Sequence, residues 1–395
     1  MQIDPTYSLH QIAGAPYLLP HGQGVADGKR GIRLNETGLF LWNALQKEPD
    51  EEAVLKSFYA RYDAALEDHA QLKQDFEQFL NQLLAIGILK KEPKENNLDK
   101  KNPENKNQTD FSMRLGKLQL CIKAPFDAIP PEFLPFQSRQ KKNADLTIEL
   151  TAGVPVRFNL EKNENLSLLI QHSQLCVSEM QNYFLLEFPQ APQLSYALLK
   201  KDGSRAWVCH TPPYTKAFVC DFFHAVRILF LYTAQLHGLF AMHSASILYQ
   251  NKAWLFSGHS GMGKSTHTNL WKKLYGVKIL NGDLNLICIE DSSPLIYGMP
   301  WCGTSQISDA DTHPLGGVIL LGRSAGEECI PLSNEEQILL CSQRLISPAW
   351  TAELLQRNLD FTAELVQKIS VCTLKCTKEE SAARAAKLWV DKQIL

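Results

Sequence analysis

Apolar and polar residues alternate in regular patterns along this 395-residue chain, and the pattern is well defined in the first 91 residues. Two short apolar runs, "PYLLPHG" and "GIRLN", are typical of strands, and three stretches with helical spacing follow them. The third stretch carries an apolar residue every three or four positions, which places one stripe on one helix face: Phe76, Phe79, Leu80, Leu83 and Leu84. The pattern predicts a winged-helix-like domain at residues 1–91.

The ends of these three helices carry capping signals. The first helix is expected over about residues 36–46, behind Asn35 as its N-cap. The second is expected to begin at Asp50, with glutamates in its first turn, where the helix dipole favours anions. The third is expected to end at Gly87, and "ILKK" after it to return as a strand.

A polar segment at residues 92–110, "EPKENNLDKKNPENKNQTD", follows this domain. Asn, Lys, Glu and Pro dominate it, so it cannot bury enough apolar surface to offset the entropy lost on ordering. We therefore expect a flexible linker between a small N-terminal domain and a larger C-terminal one.

Short apolar runs separated by turn residues continue over residues 111–235 and predict a β-rich lobe, in which "KKDGS" indicates a hairpin. The most apolar long segment, residues 221–242, predicts a helix over about 221–237. Because it carries Asp221, His224 and Arg227, we expect a buried core helix and not a membrane span.

Residues 236–395 contain a glycine-rich motif. "GHSGMGKS" fits the phosphate-binding P-loop pattern G-x-x-x-x-G-K-[ST], between a strand pattern, "AWLFS", and a helical one, "STHTNLWKKL". In this motif the glycines let successive N–H groups converge on an anion, the lysine reaches the β- and γ-phosphates, and the serine can bind Mg²⁺. The expected nucleotide-binding residues are Gly258, His259, Ser260, Gly261, Met262, Gly263, Lys264, Ser265 and Thr266.

Neighbouring patterns place this motif in a mixed sheet. "SASILY" and "AWLFS" are joined by "QNK", which is typical of a tight antiparallel hairpin, whereas most P-loop proteins reach that strand through a parallel crossover. Short strands are expected at "VKILNGDLNLICIED" and "LIYGMPW". Arg323 and Arg344 could neutralise phosphate, but a surface position is favoured for both. Thr377 with Glu380 fits a capping box before the last helix.

The net charge and the cysteine content indicate which binding partners and which cellular compartment to expect. The net charge is near −2 and the third helix is net acidic, so neither nucleic acid nor a membrane is expected as a partner. The ten cysteines form no CxxC pair, and the N-terminus lacks a secretion-signal pattern. We therefore expect reduced thiols and a cytoplasmic protein.

Several features occur together in residues 15–91: the turn "LNETG", Leu41 followed by Trp42, the acidic helix start near Asp50, and a closing Leu-x-x-x-Gly-Ile-Leu. In this combination the segment resembles the PqqD family, the peptide chaperones of pyrroloquinoline quinone biosynthesis. The resemblance implies a recognition element for a ribosomally made precursor peptide. Its leader would add a strand to the sheet edge and pack against the third helix, which is β-augmentation.

A second resemblance covers about residues 240–325, where "MHSASILYQNKAWLFSGHSGMGKSTHTNLW", "ILNGDLNLI" and "GMPWCGT" follow one another. This order resembles the HPr kinase/phosphorylase family, whose fold is shared with phosphoenolpyruvate carboxykinases. Three features carry it: His243, fifteen residues before Gly258; the glycine-rich motif; and Asp283 in "NGD".

The expected catalytic residues are Asp283, His243 and Lys264, and the expected metal ligands are Ser265 and Asp283. Phosphoryl transfer needs positioning, charge neutralisation and a carboxylate beside the acceptor hydroxyl or the metal. An aspartate that ends a strand next to the P-loop strand would face the γ-phosphate; the alternative is a turn aspartate.

The chain departs from the kinase family at two places. Gly282 stands where the bifunctional enzymes have a second aspartate, and "YGMPWCGTS" replaces a loop with an arginine and a metal-binding glutamate. These departures argue against the reverse phosphorylase reaction and against HPr as substrate. The "GMPWCGTS" segment is either an acceptor-side loop or a tight turn packed by Trp301.

The two halves together suggest an ATP- and Mg²⁺-dependent kinase that phosphorylates a Ser or Thr hydroxyl of a ribosomally made peptide captured by residues 15–91. Further modification enzymes are candidate partners. Whether the protein forms a homo-oligomer is left open by the sequence. Two alternatives remain. One is a peptide chaperone whose P-loop core is degenerate or regulatory, and the other is a small-molecule kinase or carboxykinase-like enzyme.

Overall fold

The computed structural model describes residues 2–26, 29–47, 51–62, 69–85, 88–90, 109–139, 143–152, 166–211, 213–324 and 326–394. The chain divides into two compact units. The first comprises residues 1–100 with 169–172 and 349–356, and the second comprises 101–168, 173–348 and 357–395. The fold is mixed α/β, as the sequence predicts.

Short strands and helices of the first unit enclose one apolar core. Its elements are β1 (Gln2–Ile3), β2 (Tyr7–Ile12), β3 (Ala15–Pro20), α1 (Gln23–Ala26), β4 (Ile32–Arg33), α2 (Glu36–Lys47), α3 (Glu51–Arg61), α4 (His69–Ala85) and β5 (Leu89–Lys90). Strands β2, β3 and β4 form an antiparallel sheet in that order, and β1 pairs with β5. Trp42, Phe58 and Leu83 are buried in the core. Strands followed by three helices are the predicted winged-helix-like order.

The structure contains several of the features that the sequence predicts for these helices. The Gly38 N–H donates to Asn35 Oδ1 at 2.7 Å, so Asn35 caps α2 as predicted. The apolar stripe of α4 is buried from Phe76 to Leu83, and β5 confirms the strand expected at "ILKK". Asp50, Gly87, the side chain of Leu84 and residues 92–108 of the expected linker lie outside the described residues.

A long sheet runs through residues 109–210 and confirms the predicted β-rich region. Its strands are β6 (Thr109–Leu115), β7 (Leu118–Ala124), β8 (Leu146–Ala152), β9 (Ser167–Gln171), β10 (Cys176–Glu179), β11 (Tyr183–Glu187), β12 (Leu194–Lys200) and β13 (Arg205–His210). They lie in the order β6-β7-β8-β13-β12-β11-β10-β9. The predicted "KKDGS" hairpin joins β12 to β13, with Gly203 at a φ of +72°.

The predicted core helix is α5 (Lys216–Leu236). It begins five residues earlier than expected, because Thr215 Oγ1 accepts a hydrogen bond from the Phe218 N–H at 3.1 Å and caps it. Within the described residues, α5 is the one helix long and apolar enough to cross a membrane, and 56% of its most apolar window is buried. Phe222 and Leu229 are among its fully buried side chains, as expected of a core helix.

The glycine-rich motif lies in a second large sheet with flanking helices. These elements are β14 (Phe240–Tyr249), β15 (Lys252–Ser257), α6 (Lys264–Tyr275), β16 (Lys278–Asn281), β17 (Leu284–Glu290), β18 (Ser293–Tyr297), β19 (Thr312–Arg323), β20 (Glu328–Pro331), α7 (Asn334–Ser342), α8 (Ala352–Leu365), β21 (Ser370–Cys376) and α9 (Glu380–Ile394). The strand order is β15-β14-β17-β18-β19-β21-β20, with β16 on β14. Because β15 is antiparallel to β14 and parallel to β19, the sheet is mixed, as predicted.

The tight hairpin between β14 and β15 is confirmed. Its two turn residues, Gln250 and Asn251, have φ values of +52° and +59°. Positive φ at both positions is the turn geometry whose twist matches that of two antiparallel strands. The strand before the glycine-rich motif is therefore entered from an antiparallel neighbour.

The predicted capping box before α9 is wrong. Thr377 Oγ1 accepts a hydrogen bond from the N–H two residues further on, and the Glu380 carboxylate pairs with Lys273 of α6 at 2.8 Å. Because Glu380 is engaged with α6, it does not reach back to the helix start. A complete capping box is instead present at the start of α7, between Ser333 and Glu336.

Gly298 marks a close approach of two backbone segments. A Cβ atom there would lie 1.5 Å from the Asp309 carbonyl oxygen. We expect Gly298→Ala to lower the free energy of unfolding by about 3 kcal/mol or more, at the upper end of over-packing costs. Gly326→Ala is the control, because a Cβ there meets no heavy atom within 4 Å, and it should change stability by less than about 0.5 kcal/mol. Chemical denaturation compares the two, and equal midpoints would contradict the close approach.

Candidate active site

Residues 258–265, called the glycine loop below, comprise the connection from β15 to α6 and the first two residues of α6. Gly261 and Gly263 have φ values of +75° and +97°, in the left-handed region that favours glycine. Gly263 is the N-cap of α6, and no side chain caps this helix end. The first-turn N–H groups of α6 are therefore available to an anion.

The side chains of the glycine loop differ in their exposure. His259, Ser260 and Ser265 are exposed, and Met262 is half-buried, as is Thr266 in the first turn of α6. Lys264 is buried, and its Nζ donates to the Gly258 carbonyl oxygen at 3.4 Å. Burial lowers the pKa of Lys264, and the nearby charge of Asp283 opposes that shift. The lysine thus folds back over the loop and lies within electrostatic reach of Asp283.

Asp283 and His243 form the centre of the candidate site. His243 Nε2 lies 3.1 Å from Asp283 Oδ1. The hydrogen bond from His243 holds the pKa of Asp283 below its usual range, and the charges of Lys264 and Arg227 lower it further. An ionised carboxylate can only accept, so Nε2 carries the proton and donates it. The predicted catalytic residues His243, Lys264 and Asp283 are therefore brought together.

Asp283 reaches this position by a different path from the predicted one. It lies between β16 and β17, and both strands pair with β14 and not with the glycine-loop strand β15. His243 belongs to β14, the strand in between, and its neighbour Ser244 donates its N–H to the Asp283 carbonyl oxygen at 2.9 Å. The expectation of a strand directly next to β15 is thus wrong by one strand.

A buried polar network fixes the turn before β17. Asn281 Oδ1 accepts hydrogen bonds from the N–H groups of Asp283 and Leu284, at 2.9 and 3.0 Å. The Asn281 N–H donates to Ser246 Oγ, which in turn donates to Asn285 Oδ1 at 2.7 Å. Asn281 therefore makes the turn, as asparagines commonly do, and the Asp283 carboxylate is left for other contacts.

Arg344 is half-buried and lies beside the glycine loop. Its carbonyl oxygen accepts the His243 N–H at 2.8 Å, and its Nη2 donates to His259 Nε2 at 3.1 Å. Burial lowers the pKa of Arg344, and its charge is the main reason that the pKa of His259 is also lowered. Arg323 is exposed as expected, yet its Nη2 donates to the Gly261 carbonyl oxygen at 3.4 Å. Two further cations therefore lie at the glycine loop.

The "GMPWCGTS" segment contains the turn packed by Trp301, which is one of its two predicted alternatives. Trp301 is buried, and its Nε1 donates to the Phe223 carbonyl oxygen of α5 at 3.0 Å. Gly303 lies against the carboxylate residue, because a Cβ on it would be 2.9 Å from Asp283 Cβ. The segment is a turn packed by Trp301 whose other end borders the candidate site.

Position 282 has no room for the second carboxylate of the kinase family. A Cβ on Gly282 would lie 2.1 Å from Ser305 Oγ and 2.4 Å from Ser305 Cβ. The Ser305 hydroxyl is itself held in place, because it donates to the Cys302 carbonyl oxygen at 2.7 Å. The turn therefore carries one carboxylate at positions 282 and 283, that of Asp283.

The side chains present fit a magnesium–nucleotide complex. The Ser265 hydroxyl is exposed and, within the described part of the chain, has no hydrogen-bond partner. Asp283 has 36% of its side-chain surface exposed and a lowered pKa, so its carboxylate is ionised near neutral pH. Both groups supply the oxygen ligands that Mg²⁺ prefers. The glycine loop could hold a triphosphate, with Lys264 and Arg344 as its counter-charges.

Of the two arginines near this site, Arg344 was considered as a phosphate-neutralising residue and Arg227 was missed from the sequence. Arg344 follows α7 and meets the glycine loop 85 positions away in sequence from His259. Arg227 lies in α5, and its charge acts on Asp283. The available signal for Arg227 was its place as one of a few polar residues in a very apolar helix.

In the N-terminal unit, the helices α2, α3 and α4 follow the β2–β3–β4 sheet, which is the predicted winged-helix-like order, and β5 comes after them. The family model for "Coenzyme PQQ synthesis protein D (PqqD)" matches residues 25–89. This segment is a PqqD domain, which confirms that resemblance.

No curated protein matches the chain. Among solved structures, it is similar to the Hpr(Ser) kinase/phosphatase from Coxiella burnetii, with 9% identity over 38% of this chain and 93% of the other and a TM-score of 0.23. A TM-score this low supports no conclusion, so the kinase resemblance stays a prediction.

Proposed function

We propose that the protein is an ATP-dependent kinase that phosphorylates a Ser or Thr hydroxyl of a ribosomally made precursor peptide bound by its PqqD domain. The main support is the pairing of His243 with Asp283 at 3.1 Å, within electrostatic reach of Lys264 on the glycine loop. A carboxylate with a nearby lysine at an uncapped helix start is the combination that phosphoryl transfer requires.

The phosphate side of the proposed site is the glycine loop. Its N–H groups and the α6 dipole would hold the β- and γ-phosphates, and Lys264 would leave the Gly258 carbonyl to bind them. Arg344 would add a second positive charge from the neighbouring loop. Bound Mg²⁺ neutralises developing charge on the phosphates, and Ser265 and Asp283 would hold it.

The acceptor side of the proposed site is Asp283 with His243. The acceptor oxygen forms its bond to the γ-phosphorus as the bond from that phosphorus to the β–γ bridging oxygen breaks, and ADP leaves with that oxygen. The hydroxyl proton passes to the Asp283 carboxylate, which His243 orients through its hydrogen bond. The network around Asn281 fixes the backbone turn that carries Asp283.

The PqqD domain supplies substrate recognition in this proposal. PqqD domains bind precursor peptides, and a leader strand held there would keep the acceptor residue at high local concentration near the kinase site. Tethering of this kind reaches effective concentrations of about millimolar for short linkers. Contacts at the catalytic centre need not recognise the peptide sequence strongly.

Incubation of the protein with γ-labelled ATP, Mg²⁺ and a precursor peptide encoded beside its gene tests this function. We expect label on a Ser or Thr of the peptide. Excess free leader should raise the apparent KM for the full precursor by about tenfold or more, because leader and precursor compete for one tether. A leaderless acceptor is the control, and free leader should leave its slower phosphorylation unchanged. Equal inhibition of both substrates would contradict capture by the PqqD domain.

A non-catalytic peptide chaperone is the second candidate function. The observation that favours it is Gly282, where no second carboxylate fits. Saturable peptide binding with no label transferred from ATP, under conditions in which the nucleotide binds, would support this candidate over the kinase.

A further inference from the structure

Helix α5 carries three titratable residues at one-turn spacing: Asp221, His224 and Arg227. Residues three apart on a helix are neighbours on its surface. Their charges act on one another, because Arg227 helps to lower the pKa of His224 while Asp221 opposes that shift. A polar stripe therefore runs along an otherwise apolar core helix.

The position of Arg227 on α5 turns it toward the candidate site. Trp301 packs on Phe223 and Phe230, with ring centroids 5.6 and 5.7 Å apart, one turn to either side of Arg227. Two residues after Trp301, Gly303 borders Asp283. Arg227 thus lies on the helix face that the Trp301 segment covers, and its charge acts on Asp283.

Arg227 differs from the other cations of the site, each of which donates a hydrogen bond within the described residues. Lys264 donates to Gly258, Arg344 to His259 and Arg323 to Gly261. The Arg227 side chain is half-buried, and within the described ranges its guanidinium makes no hydrogen bond and no ion pair. A cation shielded from water without a partner is costly, and an incoming anion would relieve that cost.

We propose that Arg227 forms an anion subsite on the α5 side of Asp283, where it binds the transferred phosphoryl group as a phosphomonoester on the acceptor. This inference rests on the proposed kinase function. A guanidinium can donate two parallel hydrogen bonds to phosphate oxygens, which favours arginine over lysine for this role. Lys264 and the glycine loop retain the leaving diphosphate, while Arg227 holds the group that moves.

Binding of a small product analogue tests this subsite without turnover. The probe is N-acetyl-O-phosphoserine amide, which carries a phosphomonoester and no carboxylate, titrated by calorimetry into the full chain with saturating Mg²⁺ and ADP. We expect the wild type to bind it, Arg227→Gln to weaken binding by about tenfold or more, and Arg227→Lys to fall between them. Arg384→Gln, the same change on an exposed face of α9, should bind as the wild type does.

Several results would overturn the subsite. They are no binding of the probe to the wild type, equal binding by Arg227→Gln, or equal binding of an N-acetylglutamate amide, which would show a general anion site. Heat from Mg²⁺ and ADP checks that each variant is folded. If the wild type binds nucleotide and probe but transfers no label from ATP to peptide, the kinase proposal fails while the anion subsite stands.

Discussion

Replacing Lys264 by alanine should reduce transfer of the γ-phosphate from ATP to peptide by about 100-fold or more. Lys264 is the buried cation of the glycine loop, and its ammonium lies within electrostatic reach of Asp283. Without it, charge that develops between the β- and γ-phosphates loses a preorganised donor, and the loss of one such donor typically costs about 100- to 1000-fold in rate. Steady-state transfer of label from γ-labelled ATP measures the change.

Lys273→Ala is the matched control for this substitution. Lys273 lies in the last turn of the same helix, is 70% exposed and pairs with Glu380. Its replacement removes an identical charge from α6 while leaving the glycine loop intact, so the transfer rate should stay within about twofold, since exposed pairs contribute little. Similar losses in both variants would point to a general effect on α6 and would contradict the assigned role of Lys264.

Replacing Asp283 by asparagine should lower the transfer rate by about 100- to 10,000-fold, the range expected when a general base is removed. Asparagine has nearly the same shape, and the turn depends on Asn281, so the backbone around position 283 should be preserved. The loss should appear in kcat more than in the KM for ATP, because the glycine loop still binds the phosphates and Ser265 remains as a ligand for Mg²⁺. Transfer rates at saturating ATP, together with the heat of binding of Mg²⁺ and ADP, separate these effects.

Asp291→Asn is the control for the carboxylate. Asp291 is exposed in the turn at the far end of β17, and its φ of +47° suits asparagine. This variant should keep the wild-type rate. A rate for Asp283→Asn within tenfold of the wild type would remove Asp283 from the chemistry and leave His243 without a substrate-side role.

Local patterns predicted the parts of the fold that depend on neighbouring residues. The apolar stripe of α4, the Asn35 cap, the β14–β15 hairpin and the glycine loop between strand and helix each follow from a few adjacent residues. Asp283 was identified from its short motif, although the number of strands between it and the glycine loop was not. Strand order depends on pairings between distant segments, which a single sequence does not specify.

The features that sequence analysis missed come from distant segments. Arg344 reaches the glycine loop because its backbone carbonyl accepts a hydrogen bond from His243. The sequence around Arg344 contains no pattern that predicts this contact. Glu380 fits a capping pattern, yet its carboxylate forms an ion pair with Lys273 of another helix. In both cases a contact between distant segments decides where the side chain lies.

The steric contact between positions 282 and 305 constrains how this turn can evolve. A mutation that introduces aspartate at Gly282 would collide with Ser305 at once, so it would be purged before a second carboxylate could be selected. The order of substitutions is therefore imposed, with Ser305 having to shrink or move first.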